Sequence, residues 1–215
     1  MDMHRMKDAL VEAIVPHATF DGWSVAALNA AARDLNMEAS LPPRLFPGGL
    51  PEVVAHFVAM ADRDMTAAVA ETGLDGKGIG EAVFLAVRLR LERWSEHREA
   101  IRRAASLLAL PNNLALAARL TWGTADAIWR AVGDRSHDFS WYTKRATLAA
   151  VYSATLLYWL DDSSEGTSDT WAFLRRRLSD VRNLPNLRER VTSMVRGGRL
   201  SGLAGRFKGP VRRWG

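Results

Sequence analysis

The sequence contains no cysteine. That excludes a disulfide framework, a thiolate metal site and a cysteine nucleophile. Strict alternation of apolar and polar residues is missing throughout, so no β-strand is expected and the fold class is all-α. The longest apolar run, Leu148 to Leu160, falls short of the ~20 residues that a membrane-spanning helix needs. Histidine is sparse. His4, His17, His56, His97 and His137 are scattered along the chain, and none belongs to a Glu-x-x-His pair. A di-iron carboxylate enzyme built in a helical bundle requires two such pairs facing inward. Neither a Gly-x-Ser-x-Gly elbow, a His-Glu-x-x-His helix nor a dinucleotide fingerprint is present. These absences predict a protein without catalysis of its own, with no cofactor and no metal. Residues 1–10, MDMHRMKDAL, have neither the continuous apolar core of a signal peptide nor an Arg/Ser-rich leader, which predicts an intracellular, unprocessed protein.

Charge is unevenly placed. Residues 188–215 hold eight Arg or Lys against Glu189 alone, giving +7, whereas the whole chain carries +5, so residues 1–187 come to −2. The body is therefore slightly acidic, and an anionic partner is expected at the tail. Within that tail, Leu187, Val191, Met194 and Val195 form a narrow apolar stripe among Arg188, Arg190 and Arg196. Such a pattern predicts an amphipathic helix that lies on a membrane surface. The alternative is a segment that docks on the body and continues as a solvated tail.

Helical spacing is strong elsewhere. Met6, Leu10, Ala13 and Ile14 mark a first helix ending around Pro16 and Gly22. Ser24 caps a second, with Trp23 placed as a hydrophobic staple on Leu28. Residues 41–46, LPPRLF, allow only a short third helix. Three short helices with this turn outline a helix-turn-helix. A base-reading third helix would be rich in polar and basic side chains; this one offers two prolines and one Arg. A structural module is the expectation, and no nucleic acid is expected as partner. A long helix follows from Pro51 to Gly73. The loop Gly73-Leu-Asp-Gly-Lys-Gly-Ile-Gly80 lacks a preceding strand and reads as an interhelical linker, not a phosphate cradle. Further helices are predicted over 83–94, 101–110 and 114–132, and after Ser168-Asp169, which are placed to cap the last of them.

The stretch from Gly133 to Asp162 contains one long helix with apolar or small residues on most of its circumference, a central position in a bundle. Its first turn is different: Trp141 and Tyr142 stand beside Asp138, Lys144 and Arg145 at the mouth of a loop. Aromatics mixed with charge at a surface suggest a binding patch. The motifs GDRSHDFSWYTKRATL, VYSATLLYWLDDSS and DTWAFL closely resemble those of the ninth COQ family, lipid-binding accessory proteins of ubiquinone biosynthesis. The similarity covers roughly residues 5–183.

The resemblance implies a TetR-like helical bundle with a vestigial helix-turn-helix over 1–49, a lipid-binding bundle over 50–183 and a basic amphipathic membrane-binding tail over 184–215. It implies binding of an isoprenoid quinone intermediate or phospholipid, presentation to the pathway's di-iron hydroxylase, and a homodimer. The site implied is peripheral on the inner face of the cell membrane, or on the matrix side of the mitochondrial inner membrane in a eukaryote. Pockets between bundle helices take such ligands, and Val83, Val87, Trp94, Leu108, Leu120, Val151 and Thr155 are the candidate walls. Asp126, Trp129, Asp138, Trp141, Tyr142 and Arg145 are the candidate hydroxylase surface, since Trp141 and Arg145 are one helical turn apart and the preceding helix ends near them. The competing reading is a TetR-type transcriptional regulator that senses a hydrophobic effector.

Overall fold

In a computed structural model, the backbone is described for residues 2–134 and 139–183. The order is α1 (Met3–Asp21), α2 (Val25–Asp34), α3 (Leu41–Leu45), α4 (Leu50–Thr72), α5 (Ile79–Glu92), α6 (Arg98–Leu108), α7 (Leu114–Ala131), α8 (Phe139–Asp161) and α9 (Ser168–Asn183). Single 3-10 turns precede α6, α7 and α9. No strand occurs among the described residues, so the all-α class holds. The tail residues Leu187, Arg188, Val191, Met194, Val195 and Arg196 lie outside the described residues, as does Asp138.

Local sequence explains most boundaries. α1 passes through Pro16, whose missing N–H falls on an exposed face, and ends at Gly22. Gly22 adopts φ 69 and donates to the Ala18 carbonyl, which closes the last turn. The Ser24 hydroxyl caps α2 by accepting from the Ala27 amide at 3.1 Å. Trp23 does more than staple its own helix. Its indole donates to the Ala100 carbonyl at 2.8 Å, and its ring packs 5.3 Å from Phe57. It thereby ties the α1–α2 corner to α6 and α4.

Two apolar cores result. The first gathers α1, α2 and Leu45 with the first half of α4, Trp94, Ala100 and Ala104. The second gathers Met65 and Val69 from the end of α4 with α5, the second half of α7, α8 and Trp171 and Leu174 of α9. Because α4 belongs to both, residues 1–49 are not set apart from the bundle. Residues 1–179 form one compact unit.

A buried polar group crosses the second core. Arg90 of α5, 8% exposed, donates from Nε to Asp62 of α4 at 2.7 Å and from a terminal nitrogen to the Tyr152 hydroxyl of α8 at 2.5 Å. Thr124 of α7 donates to the other oxygen of Asp62 at 3.1 Å. Four helices are joined through one ion pair.

The α8–α9 corner depends on a second carboxylate. Asp162 accepts from the amide and hydroxyl of Ser164 at 2.8 and 2.6 Å, and from those of Thr170 at 2.8 and 2.5 Å. The expected caps, Ser168 and Asp169, are replaced in this role by Asp162 and by the Ser164 hydroxyl, which accepts from the Asp169 amide. The corner folds back by a 3-10 turn, which brings residues five and eight positions upstream onto the free amides of α9. Burial raises the Asp162 pKa, but the hydrogen bonds from Ser164 and Thr170 outweigh it and hold the group down at about 2, against 3.8 ordinarily. A depressed folded pKa contributes stability that is complete above pH ~4 and is lost as the pH falls towards 2. Urea titrations should show the wild-type protein losing stability across that interval. Asp162→Asn should be less stable at pH 7 and lose less on acidification; equal acid slopes in the two proteins would contradict the assignment.

Candidate functional site: an aromatic patch on a buried arginine

Trp122, Asp126 and Trp129 recur at i, i+4 and i+7 on α7, so they share one face of that helix. Trp141 and Tyr142, in the first turns of α8, meet this face. The Trp122 and Trp141 ring centres are 5.9 Å apart, and Trp141 and Tyr142 meet edge to face at 4.7 Å. Tyr142 is 61% exposed, while Trp122 and Trp141 are half-buried.

Beneath the rings lies Arg145, only 2% exposed. Its Nε donates to Asp126 at 2.6 Å, a terminal nitrogen reaches Asp134 at 3.4 Å, and the guanidinium sits 4.0 Å from the Trp141 ring centre. Arg145 is therefore not part of the contact surface, contrary to the sequence expectation. One turn after Trp141 its side chain points inward, where two carboxylates compensate its charge and the indole stacks on it. Lys144 pairs with Asp134 at 2.8 Å and lies over the Trp129 ring. Asp126, Trp129, Trp141, Tyr142 and Arg145 are thus brought together. Trp122 was missed in the sequence, although its seven-residue spacing from Trp129 was a usable signal.

The candidate lipid-lining residues do not gather in one place. Val83, Val87 and Val151 are buried against one another's helices in the bundle core, and Thr155 is buried with its hydroxyl donated to the Val151 carbonyl at 2.8 Å. Trp94 and Leu108 belong instead to the N-terminal core, Trp94 edge-on to Phe57 at 4.9 Å. The division arises because α5 ends at Glu92 and the chain turns at Trp94 into the other core. Of two clefts formed by described residues, one of about 330 Å³ at Glu12, Arg93, Trp94 and His97 includes the candidate wall Trp94, and one of about 470 Å³ at Tyr158, Asp161 and Asp169 is lined by none of the candidate walls.

Leu120 marks a different feature. In the first half of α7, Leu114, Leu116, Ala117, Leu120 and Trp122 are all incompletely covered, and burial starts only at Thr124. Leu114 is 55% and Leu110 54% exposed. An apolar half-helix left partly open to water runs here into the aromatic patch, and contiguous exposed apolar surface of this kind is typical of interaction sites.

Replacing Arg145 by Met should take the buried guanidinium from Asp126 and Asp134 while Arg130 and Lys144 stay paired with them, at a cost of about 2 kcal/mol for the lost charged hydrogen bonds, and should release the Trp141 ring. Urea unfolding followed by tryptophan fluorescence measures both effects. A loss below ~1 kcal/mol with an unchanged native spectrum would contradict this account of the patch.

The COQ9 family model matches residues 114–185, the span that includes α7, α8 and α9. The chain is 34% identical over 198 residues to the human mitochondrial ubiquinone biosynthesis protein COQ9, covering 88% of this chain and 60% of that protein. It is 36% identical over 179 residues to COQ9-B of Xenopus laevis, covering 80% and 61%. The chain thus spans about three fifths of the length of these curated relatives. Among solved structures, a TetR transcriptional regulator from Nitrosomonas europaea superposes with a TM-score of 0.67 at 21% identity, over 82% of this chain and 97% of that one. That likeness establishes the fold. Residues 114–185 thus match the COQ9 family, and most of the chain is similar to COQ9 proteins, on the all-α architecture of TetR-type regulators.

Proposed function

We propose that this protein is a non-catalytic accessory of ubiquinone biosynthesis that holds an isoprenoid quinone intermediate or phospholipid and presents it to the pathway's di-iron hydroxylase at a membrane surface. The relatives' names carry the pathway. The observation that carries the ligand class is the open apolar half of α7, from Leu114 to Trp122. Each isoprenoid methylene covered there is worth ~0.8 kcal/mol, so a long tail accumulates useful affinity on an otherwise wet face. The ligand lies between this face and the half-buried Leu108, not in a sealed channel through Val83, Val87 and Val151.

The hydroxylase surface is the patch of Trp122, Trp141 and Tyr142, with Asp126 and Trp129 at its margin and Arg145 as the strut below. Aromatic anchors seated on a rigid base suit a protein partner. The homodimer belongs to the same proposal, with the exposed Leu157 and the stacked Tyr158–Phe173 pair as its face. A regulator on this fold would need a DNA-reading third helix. α3 is five residues long, carries two prolines and has Pro42 and Leu45 buried, which favours the accessory reading.

Among the described residues no helix is long and apolar enough to cross a membrane. Attachment is assigned to the tail beyond Asn183, whose apolar stripe contributes a few kcal/mol and whose basic side chains add ~1 kcal/mol each near an anionic leaflet. The reaction site is then a membrane surface, mitochondrial or bacterial according to the source.

Sedimentation with anionic vesicles containing a ubiquinone tests ligand and anchor together. The full chain should bind and extract quinone, a truncation after Asn183 should lose most binding to the vesicles, and Leu114→Glu should bind vesicles but extract little. Equal behaviour of all three proteins would sink both assignments. For the partner surface, Trp141→Lys should remain folded by circular dichroism yet capture at least tenfold less hydroxylase in a pull-down. Undiminished capture would remove the patch from the interface.

A further inference from the structure

The histidines scattered in the sequence are not all apart in space. His4 and Asp8 stand one turn apart on α1, and α4 lays His56 against them. One ligand atom from each residue lies within 4.8 Å of the others. His56 Nε2 is 2.6 Å from one oxygen of Asp8, and His4 Nε2 is 3.6 Å from the other. The two imidazoles meet edge to face at 5.5 Å. Donor atoms around a tetrahedral ion with metal–nitrogen bonds of about 2.0–2.1 Å are ~3.3 Å apart. The His4–Asp8 separation already suits that geometry, and a small shift of His56, whose present contact is to the other Asp8 oxygen, brings its Nε2 to the same ion.

The surroundings hold the group in place. The Phe46 ring packs edge-on to His56 at 5.7 Å, and Lys7 pairs with Glu52 at 3.1 Å, fixing the adjoining turns of α1 and α4 against each other. Arg63 donates to the same Asp8 oxygen as His56, at 2.6 Å. The guanidinium occupies that oxygen and leaves the one facing His4 for an incoming ion. It also offsets part of the carboxylate's charge, which weakens the site without blocking it.

We propose that His4, Asp8 and His56 bind one divalent transition-metal ion of the zinc type, clamping α1 to α4. Two imidazoles and one carboxylate without thiolate select a borderline ion over calcium or magnesium, and a water completes the tetrahedron. In binding, His56 exchanges its hydrogen bond to Asp8 for the metal, while Arg63 keeps its oxygen as an outer partner that orients the carboxylate. The clamp joins the N-terminal helical module to the helix shared by both cores. It is independent of the apolar face and aromatic patch on α7.

The test is titration of the full, tag-free chain with zinc chloride by calorimetry and with cobalt chloride by visible absorption. We expect one saturable equivalent and a cobalt band of tetrahedral intensity. Saturating zinc should raise Tm by about 5 °C, reversed by a chelator. His4→Ala removes an exposed side chain and should leave the fold intact while weakening binding at least tenfold, as should His56→Ala. His17→Ala, which disturbs only the separate pair with Asp34, should bind like wild type. Absence of one-to-one binding below about 1 mM metal would overturn the proposal, and so would binding unchanged in both His4→Ala and His56→Ala.

Discussion

The bundle depends on the charge of Arg90. A guanidinium buried in an apolar core costs several kcal/mol unless its charge and its donors are met. Burial lowers its pKa, but Tyr152 and Asp62 more than compensate, so the group is held charged; burial also raises the Tyr152 pKa, which keeps that phenol protonated. Asp62, Thr124 and Tyr152 can meet Arg90 together only when α4, α5, α7 and α8 take one relative arrangement. Apolar packing would tolerate many small slides of these helices; the ion pair tolerates few.

That constraint divides α7 in two. From Thr124 onward the helix is held by Arg90 on one side and by Arg145, through Asp126, on the other. Among the described residues no comparable ion pair holds it before Thr124, where Leu114 is open to water and Leu116 and Leu120 are only partly covered. A helix anchored by its second half can present the first half as a rigid apolar face without that face collapsing into the core. The aromatic patch sits at the junction, where Arg145 holds Trp141, in the first turn of α8, as a fixed platform. The open apolar face and the aromatic patch are thus adjacent on the same helix.

Much of this was legible in the sequence, and the failures have physical causes. Helix positions followed from periodicity and from punctuation such as Ser24, Gly73 and Pro111, because those signals act locally. The aromatic patch was legible because Trp141 and Tyr142 adjoin charges at a helix start. Arg145 was misplaced because the spacing that puts it near Trp141 does not reveal which way the helix is turned. The lipid-wall candidates are divided for the same reason at larger scale: Trp94 and Leu108 continue the apolar pattern of their helices but pack into the other core. Asp162 was overlooked as a cap since its partners lie beyond a 3-10 turn. His4 and His56 were read as isolated because their proximity depends on tertiary packing alone.

The central claim is that the α7 face carries an apolar ligand. Native mass spectrometry of the full chain purified from its own cells, followed by solvent extraction and lipid identification, tests it most directly. The account predicts a dimer with an isoprenoid quinone or phospholipid bound, and loss of that adduct in Leu114→Glu. A bare mass from wild-type protein, or an adduct retained undiminished in Leu114→Glu, would contradict it.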